Sequence, residues 1–169
     1  TITVGTSNTA SVGGGIAIGQ DNVANSGGTA GNTMIAIGRQ NEATAQDTIA
    51  IGREAKAKKD LGVAIGNRTE ATANAAIAIG SNGAPSPGVT PKTTASGFAA
   101  VAIGMQSNSS GTASTAVGGK SQATANSASA FGRAANASAE NATALGFEAA
   151  ASVKDGVALG SNSKATVDK

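Results

Sequence analysis

Side chains that could carry out chemistry are few in this chain and do not gather in one place. The 169 residues include no Cys and no His, which excludes disulfides, thiol nucleophiles, Cys/His zinc sites and His general bases. Glu42 and Glu70 share a phase in the sequence, with Lys56 midway between them. This alternation of sign favours a ladder of surface charges over a paired-carboxylate acid/base site. We therefore expect no enzyme activity, no metal and no cofactor.

Arginine side chains give a second chemical signal. Arg39, Arg53 and Arg133 each directly follow a glycine at one phase of a repeat. We interpret them as solvated turn residues, and the alternative is a basic stripe for acidic glycans or an anionic matrix. The net charge of +2 is accompanied by only three aromatic residues and by no clustered basic patch. Nucleic acid is therefore not an expected partner.

The secondary-structure elements that position these side chains can be inferred from a repeated tetrapeptide, apolar-Ala-apolar-Gly. It occurs in eleven copies, some of which depart from the pattern at one position. Most copies are 14 residues apart, but the interval from Gly19 to Gly38 is 19 and that from Gly80 to Gly104 is 24. A strict period indicates one structural unit stacked on itself. We assign the closing glycines to sharp turns. These turn glycines are Gly19, Gly38, Gly52, Gly66, Gly80, Gly104, Gly118, Gly132, Gly146 and Gly160.

Each 14-residue unit predicts two short strands and two turns. Residues alternate in character within the tetrapeptide, as in Ile49-Ala50-Ile51, and again after the glycine, as in Glu42-Ala43-Thr44. A period of two is typical of a strand with one buried face and one solvent-exposed face. The unit is too short for a strand and a crossover helix. The sequence therefore predicts an all-β, parallel β-solenoid (a β-roll) whose 14-residue coils stack about 4.8 Å apart.

The branched residues of the tetrapeptide have two possible placements. If Ala50, Ala43 and their equivalents line a narrow interior, the Ile and Val side chains form a stripe on the outside of the roll. Such an apolar stripe is expected to be buried against another surface. The simplest arrangement buries it against the same stripe of identical chains around a cyclic symmetry axis. We favour this placement over one with Ile and Val inside. In later copies the stripe is softened by Thr115, Ser129 and Thr143.

The run Asp155-Gly-Val-Ala-Leu-Gly-Ser-Asn-Ser-Lys-Ala165 and its echoes along the chain resemble the head repeats of trimeric autotransporter adhesins, the YadA-like heads. The resemblance covers essentially the whole chain. It implies a homotrimer of left-handed parallel β-rolls, projected from a Gram-negative outer membrane on a coiled-coil stalk. It also implies adhesion to host extracellular matrix or host cells, and self-association. The membrane attachment would lie in segments outside this chain.

With this resemblance, the outward stripe becomes the expected core of the trimer. The candidates are the apolar residues on either side of the central alanine of each copy. They are Ile16, Ile18, Ile35, Ile37, Ile49, Ile51, Val63, Ile65, Ile77, Ile79, Val101, Ile103, Val117, Phe131, Leu145, Val157 and Leu159.

We expect one repetitive head domain over 1–169, with insertions within 20–34 and 83–97. The second insertion holds all three prolines of the chain. Because proline cannot donate a backbone hydrogen bond to a neighbouring strand, this segment is expected to leave the coil as an exposed loop. We interpret the loop as a tolerated surface insertion, and the alternative is a receptor contact. The residues of that candidate contact are Pro85, Pro87, Val89, Pro91 and Lys92.

Two other functions fit parts of the pattern. The same solenoid could serve as a passive spacer that projects another adhesive domain. An ice-binding solenoid would need a flat column of threonines, and Lys58 interrupts the column that contains Thr44, Thr72 and Thr124. The resemblance implies an adhesin head on a bacterial cell surface, with a virulence-type function, and we favour this non-enzymatic function over the two alternatives. The sequence does not identify the ligand.

Overall fold

The computed structural model describes residues 1–10, 14–27, 32–83 and 92–167. In these ranges the chain forms 22 strands and no helix. The strands make two sheets of 11, and each coil of the chain contributes one strand to each sheet. Every strand pairs in parallel with its equivalents in the adjoining coils. The expected all-β parallel solenoid is confirmed.

The longer strands form one sheet, which we call the long-strand sheet. Its members are β1 (Ile2–Thr6), β3 (Ile16–Gln20), β5 (Met34–Arg39), β7 (Thr48–Arg53), β9 (Val63–Asn67), β11 (Ile77–Ser81), β13 (Val101–Ile103), β15 (Thr115–Val117), β17 (Ser129–Phe131), β19 (Thr143–Leu145) and β21 (Val157–Leu159). The two-residue strands form the short-strand sheet. Its members are β2 (Thr9–Ala10), β4 (Val23–Ala24), β6 (Glu42–Ala43), β8 (Lys56–Ala57), β10 (Glu70–Ala71), β12 (Thr94–Ala95), β14 (Asn108–Ser109), β16 (Gln122–Ala123), β18 (Asn136–Ala137), β20 (Ala150–Ala151) and β22 (Lys164–Ala165).

The strands are stacked so that each residue pairs with its own equivalent in the next coil. Between β7 and β9, for example, Ile49 pairs with Val63 and Ala50 pairs with Ala64. A slip of one residue would turn the alanines outward and the branched residues inward. A constant spacing between repeats is therefore needed to keep alanine inside and the branched residues outside in every coil, which explains the strict period of the sequence.

The two longer intervals of the repeat fall in connections between strands. β4 ends at Ala24 and β5 begins at Met34, while β11 ends at Ser81 and β12 begins at Thr94. Strand pairing continues in register across both intervals. The extra residues are thus accommodated between strands, because the ladder of backbone hydrogen bonds tolerates no insertion within a strand without a bulge.

Alanine lines the interior of the roll. Ala50 of the long-strand sheet and Ala57 of the short-strand sheet are fully buried, and so are their equivalents in most other coils. A methyl group contributes only about 0.8 kcal/mol when it is buried. The fold therefore depends on many small contributions and on the backbone hydrogen bonds that link one coil to the next.

Candidate functional site

A stripe of branched and apolar side chains covers the outer face of the long-strand sheet. In β13 the central Ala102 is fully buried, whereas Ile103 is 37% exposed and the outer residues of β19 and β21 are more so, with Leu145 at 45% and Leu159 at 69%. The structure thus has alanine inside and Ile and Val outside, which is the placement that the sequence favoured. We call these outward residues of the long strands the Ile/Val stripe.

The Ile/Val stripe consists of two columns that run along the stack in register. All the proposed trimer-core residues lie in it. The first column contains Ile16, Ile35, Ile49, Val63, Ile77, Val101 and Val157. The second contains Ile18, Ile37, Ile51, Ile65, Ile79, Ile103, Val117, Phe131, Leu145 and Leu159. Their contact with other copies of the chain stays a prediction.

The turn glycines lie at or just beyond the carboxyl end of each long strand. Gly52, within β7, has a φ of 136°, a conformation that L side chains rarely adopt. A second demand adds to it, because a Cβ on Gly52 would lie 2.2 Å from the carbonyl oxygen of Gly66 in the next coil. The turn glycines are therefore needed for the turn and, except at Gly160, where a Cβ would meet nothing within 4 Å, also for the stacking of one coil on another.

The candidate receptor contact is only partly described by the structure. Pro85, Pro87, Val89 and Pro91 lie outside the described residues. Lys92 is described, and its ammonium group forms an ion pair with the carboxylate of Glu70. A role of this segment in receptor binding therefore stays a prediction.

Charged side chains on the outer face of the short-strand sheet pair between coils. Lys56 Nζ lies 2.9 Å from Glu42 Oε1, and Lys58 Nζ lies 3.2 Å from Glu42 Oε2. Burial raises the pKa of Glu42, but hydrogen bonds from the two lysines and their charges outweigh it, so that this pKa is lowered. The hydrogen bond to Glu42 likewise raises the pKa of Lys56. The expected charge ladder is present for Glu42 and Lys56, whereas Glu70 pairs with Lys92.

A buried arginine joins two successive turns. Arg68 is 4% exposed, and its Nε donates to Glu54 Oε2 at 2.7 Å while its Nη2 donates to Glu54 Oε1 at 3.2 Å. The hydrogen bond from Arg68 lowers the pKa of Glu54. A two-pronged pair of this kind is directional as well as strong. It therefore holds neighbouring turns in a defined relation.

The three arginines that follow turn glycines do not form a continuous basic stripe. Arg39 and Arg53 are paired neighbours in β5 and β7. Arg133 follows β17, five strands further along the long-strand sheet, and its guanidinium lies 4.4 Å from the centre of the Phe147 ring. A stacked arginine of this type is stabilised by the ring. The geometry supports separate turn arginines.

An asparagine ladder, which sequence reasoning missed, crosses three coils. Asn8, Asn22 and Asn41 stand three residues after a turn-type glycine, and each Nδ2 donates at 2.8–2.9 Å to the carbonyl oxygen of the glycine in the next coil. Asn22 Nδ2 also donates to Asn8 Oδ1 at 2.9 Å, and Asn41 Nδ2 donates to Asn22 Oδ1 at 2.8 Å. Ala55 and Thr69 occupy the same column, so the pattern indicates only small side chains there.

We expect the substitution Asn41→Ala to lower the free energy of unfolding by about 2–3 kcal/mol. Asn41 is fully buried; it donates to the carbonyl oxygens of Ile37 at 3.0 Å and Gly52 at 2.9 Å, and its Oδ1 accepts the N–H of Ala55 at 2.9 Å. The substitution removes these partners from buried backbone groups. Urea unfolding followed by circular dichroism measures the change.

The matched control for this substitution is Asn136→Ala. Asn136 is exposed on the outer face of β18, and its loss is expected to change stability by less than about 0.5 kcal/mol. Equal losses for the two variants would show that the ladder contributes nothing beyond an exposed asparagine.

Acidic side chains are dispersed over the described part of the chain. Within it, no group of three or more His, Cys, Asp or Glu residues is close enough to hold a metal ion. No helix in the same ranges has the length and apolar character needed to cross a membrane. The outer faces of the two sheets carry the Ile/Val stripe and the paired charges of Glu42 and Lys56, and these faces are the candidate functional surfaces.

The repeat is also recognised when the chain is compared with known protein families. The model of the YadA head domain repeat matches residues 35–55, 57–82, 95–121 and 123–149, more than half of the chain. These stretches contain strands of both sheets. A comparison with curated protein sequences found no match. The chain therefore belongs to the YadA head family, and it is a YadA-like head of the surface-exposed trimeric autotransporter adhesins, with an adhesin-type, structural role.

Proposed function

We propose that this chain is the adhesive head of a homotrimer on a bacterial outer membrane, where it attaches the cell to host extracellular matrix or host cells. The observation that carries the proposal is the Ile/Val stripe along the outer face of the long-strand sheet. Apolar surface of this extent is typical of an interface with another protein. We therefore expect the stripe to be buried in a protein interface.

The geometry of the stripe favours identical copies as that cover. Its columns are in register from coil to coil, so that Ile37, Ile51 and Ile65 follow one another directly. A rotation axis parallel to the stack would bring the same residue of each copy together at every level. Membership in a family of trimeric adhesins supports three copies.

In such a trimer, the outer face of the short-strand sheet is left for a ligand. Its early coils carry the paired charges of Glu42 and Lys56. Its later coils carry the outward amides of Asn108, Gln122 and Asn136, which pair in register along β14, β16 and β18. A polar face of this kind suits adhesion to hydrophilic host surfaces, and it suits self-association of the bacteria through the same groups.

The other parts of the proposal rest on the family. Attachment to the outer membrane would use segments outside this chain. The segment that contains Pro85, Pro87, Val89 and Pro91 connects β11 to β12, next to Lys92. We retain it as a candidate contact for a receptor.

The test compares two versions of the chain on the surface of a non-adherent bacterium. One is the native chain. In the other, the outward residues of the short-strand sheet are replaced by serine and threonine, while the alanine interior, the turn glycines and the Ile/Val stripe are kept. Binding to cultured epithelial cells and to matrix-coated plates is counted. We expect the variant to lose adhesion, although its length and assembly are unchanged. A native chain that confers no adhesion would indicate a passive spacer, and undiminished adhesion of the variant would place the contact elsewhere on the chain.

A further inference from the structure

A polar groove runs along the short-strand sheet over four coils. It has a volume of about 720 Å³. Its lining residues, which we call the amide groove, are Glu70, Lys92, Thr94, Gln106, Asn108, Lys120 and Gln122.

The two walls of the amide groove come from different parts of the coil. One wall consists of Thr94, Asn108 and Gln122, which pair in register at the start of β12, β14 and β16. The other wall consists of the residues that stand two positions before these strands, among them Gln106 and Lys120. Each level of the groove thus repeats a pair of polar side chains at the 4.8 Å spacing of parallel strands.

Backbone hydrogen bonds hold the second wall in place. The N–H of Gln106 donates to the carbonyl oxygen of Ser81 at 2.9 Å, and the N–H of Lys120 donates to that of Met105 at 2.8 Å. Gln106 Nε2 also donates to the carbonyl oxygen of Asn82 at 2.8 Å, so its Oε1 is oriented as an acceptor. A groove that is formed before binding avoids much of the entropic cost of ordering.

The charges of the groove leave one ammonium group unmatched. Lys92 pairs with Glu70 at one end. Lys120 is exposed and forms no ion pair with any residue in the described part of the chain. In the same ranges, the side-chain amides of Asn108 and Gln122 make no hydrogen bond within the molecule. The groove therefore offers one cation among amide groups that both donate and accept.

This combination matches a saccharide that bears a carboxylate. Side-chain amides can serve both as donors and as acceptors for sugar hydroxyls, and an ammonium group pairs with a carboxylate through a charge-assisted hydrogen bond. The lining contains no aromatic side chain, so nucleic-acid bases would have no ring on which to stack. It also contains no arginine cluster of the type that recognises phosphate.

We infer that the amide groove binds a carboxylated saccharide of host glycans, with Lys120 as the partner of the carboxylate. The inference rests on the proposed adhesive function and gives its ligand a chemical class. Sialic acids and uronic acids both carry the required carboxylate beside hydroxyl groups. The experiment therefore includes one probe of each kind.

The experiment measures binding of three probes to the folded chain by saturation-transfer NMR and titration. The probes are 3′-sialyllactose, a hyaluronan tetrasaccharide and neutral lactose. We expect at least one carboxylated probe to bind more tightly than lactose, and Lys120→Gln to weaken that binding about tenfold. Glutamine is native at the same turn position in Gln40 and Gln106, with similar φ values of 57° and 59°, so the variant is expected to fold.

Lys164→Gln is the matched control. Lys164 is exposed on β22 outside the groove, and glutamine is native at the equivalent position, Gln122. The control is expected to bind like the native chain. No preference for a carboxylated probe over lactose, or equal losses in both variants, would overturn the inference. Adhesion of the native chain in the cell assay, together with such a result, would leave the adhesive function standing and remove only the saccharide site.

Discussion

The substitution Gly52→Ala is expected to lower the free energy of unfolding by more than about 3 kcal/mol. The new Cβ would lie 2.2 Å from the carbonyl oxygen of Gly66 and 2.8 Å from its carbonyl carbon, at a φ of 136°. Both atoms belong to the backbone of the next coil, so no side-chain rotation relieves the overlap. Either β7 and β9 separate locally or the turn changes. Urea unfolding followed by circular dichroism measures the loss.

Gly160→Ala is the control for this prediction. Gly160 also has a left-handed φ, 108°, but a Cβ built on it meets nothing within 4 Å. Only the conformational strain of about 1–3 kcal/mol remains, and it falls on one coil near the end of the stack. Because nearest-neighbour contacts govern repeat proteins, the effect on global unfolding is expected to be much smaller than at Gly52. Equal losses at the two glycines would show that stacking between coils does not require glycine.

The architecture could be predicted from the sequence because parallel in-register stacking places like residues side by side. Ala50 pairs with Ala64 and Gly52 pairs with Gly66. A position that needs a particular residue type in one coil therefore needs it in the next coil as well. The narrow interior has the same origin, since alanines of the two sheets are buried in most coils, whereas larger buried side chains such as Asn41 lie in the turns between the sheets. Composition and period together therefore predict the fold, and they favour the outward position of the stripe over the alternative with Ile and Val inside.

The hydrogen bonds of the turns could not be predicted in the same way. Asn22 and Asn41 form a ladder, but the column continues as Ala55 and Thr69, so no single residue type marks it. The backbone conformation of some turn residues could not be predicted either. Leu61 has a φ of 60°, which is unusual for a large apolar side chain and carries no sequence signal. Here the backbone of the stack imposes the conformation against local preference.

The amide groove also depends on information that the sequence lacks. The ten extra residues before Gly104 obscure the phase of Lys92, so that its position beside Glu70 follows only from the pairing of Glu70 with Thr94. The sequence places the arginines at a repeated phase, where we interpret them as solvated turn residues with a basic stripe as the alternative. Among the residues that line the groove, the structure leaves the ammonium group of Lys120 without an ion pair to any described residue, beside the amides of Asn108 and Gln122.

The second large effect is expected for Ile51→Glu, which places a charge in the middle of the Ile/Val stripe. In the proposed homotrimer, three glutamates would meet near the axis, between Ile37 and Ile65 of the adjoining coils. A buried charge without a partner costs about 3–5 kcal/mol, and the trimer would contain three. We expect the native chain to have a mass near three times 16.0 kDa by light scattering at low micromolar concentration, and the variant to be a monomer.

Thr72→Glu separates loss of assembly from loss of folding. Thr72 lies just after β10, on the outer face of the short-strand sheet, and the same new charge there is expected to leave the mass unchanged. Because Ile51 points away from the alanine interior, its variant should keep the β circular dichroism signal while it loses the trimer. A native chain that is monomeric and folded would overturn the homotrimer, and a trimer that tolerates Glu at position 51 would place its interface elsewhere. The stripe would then be an apolar surface that some other partner must cover, as contiguous apolar surface usually marks a site of interaction.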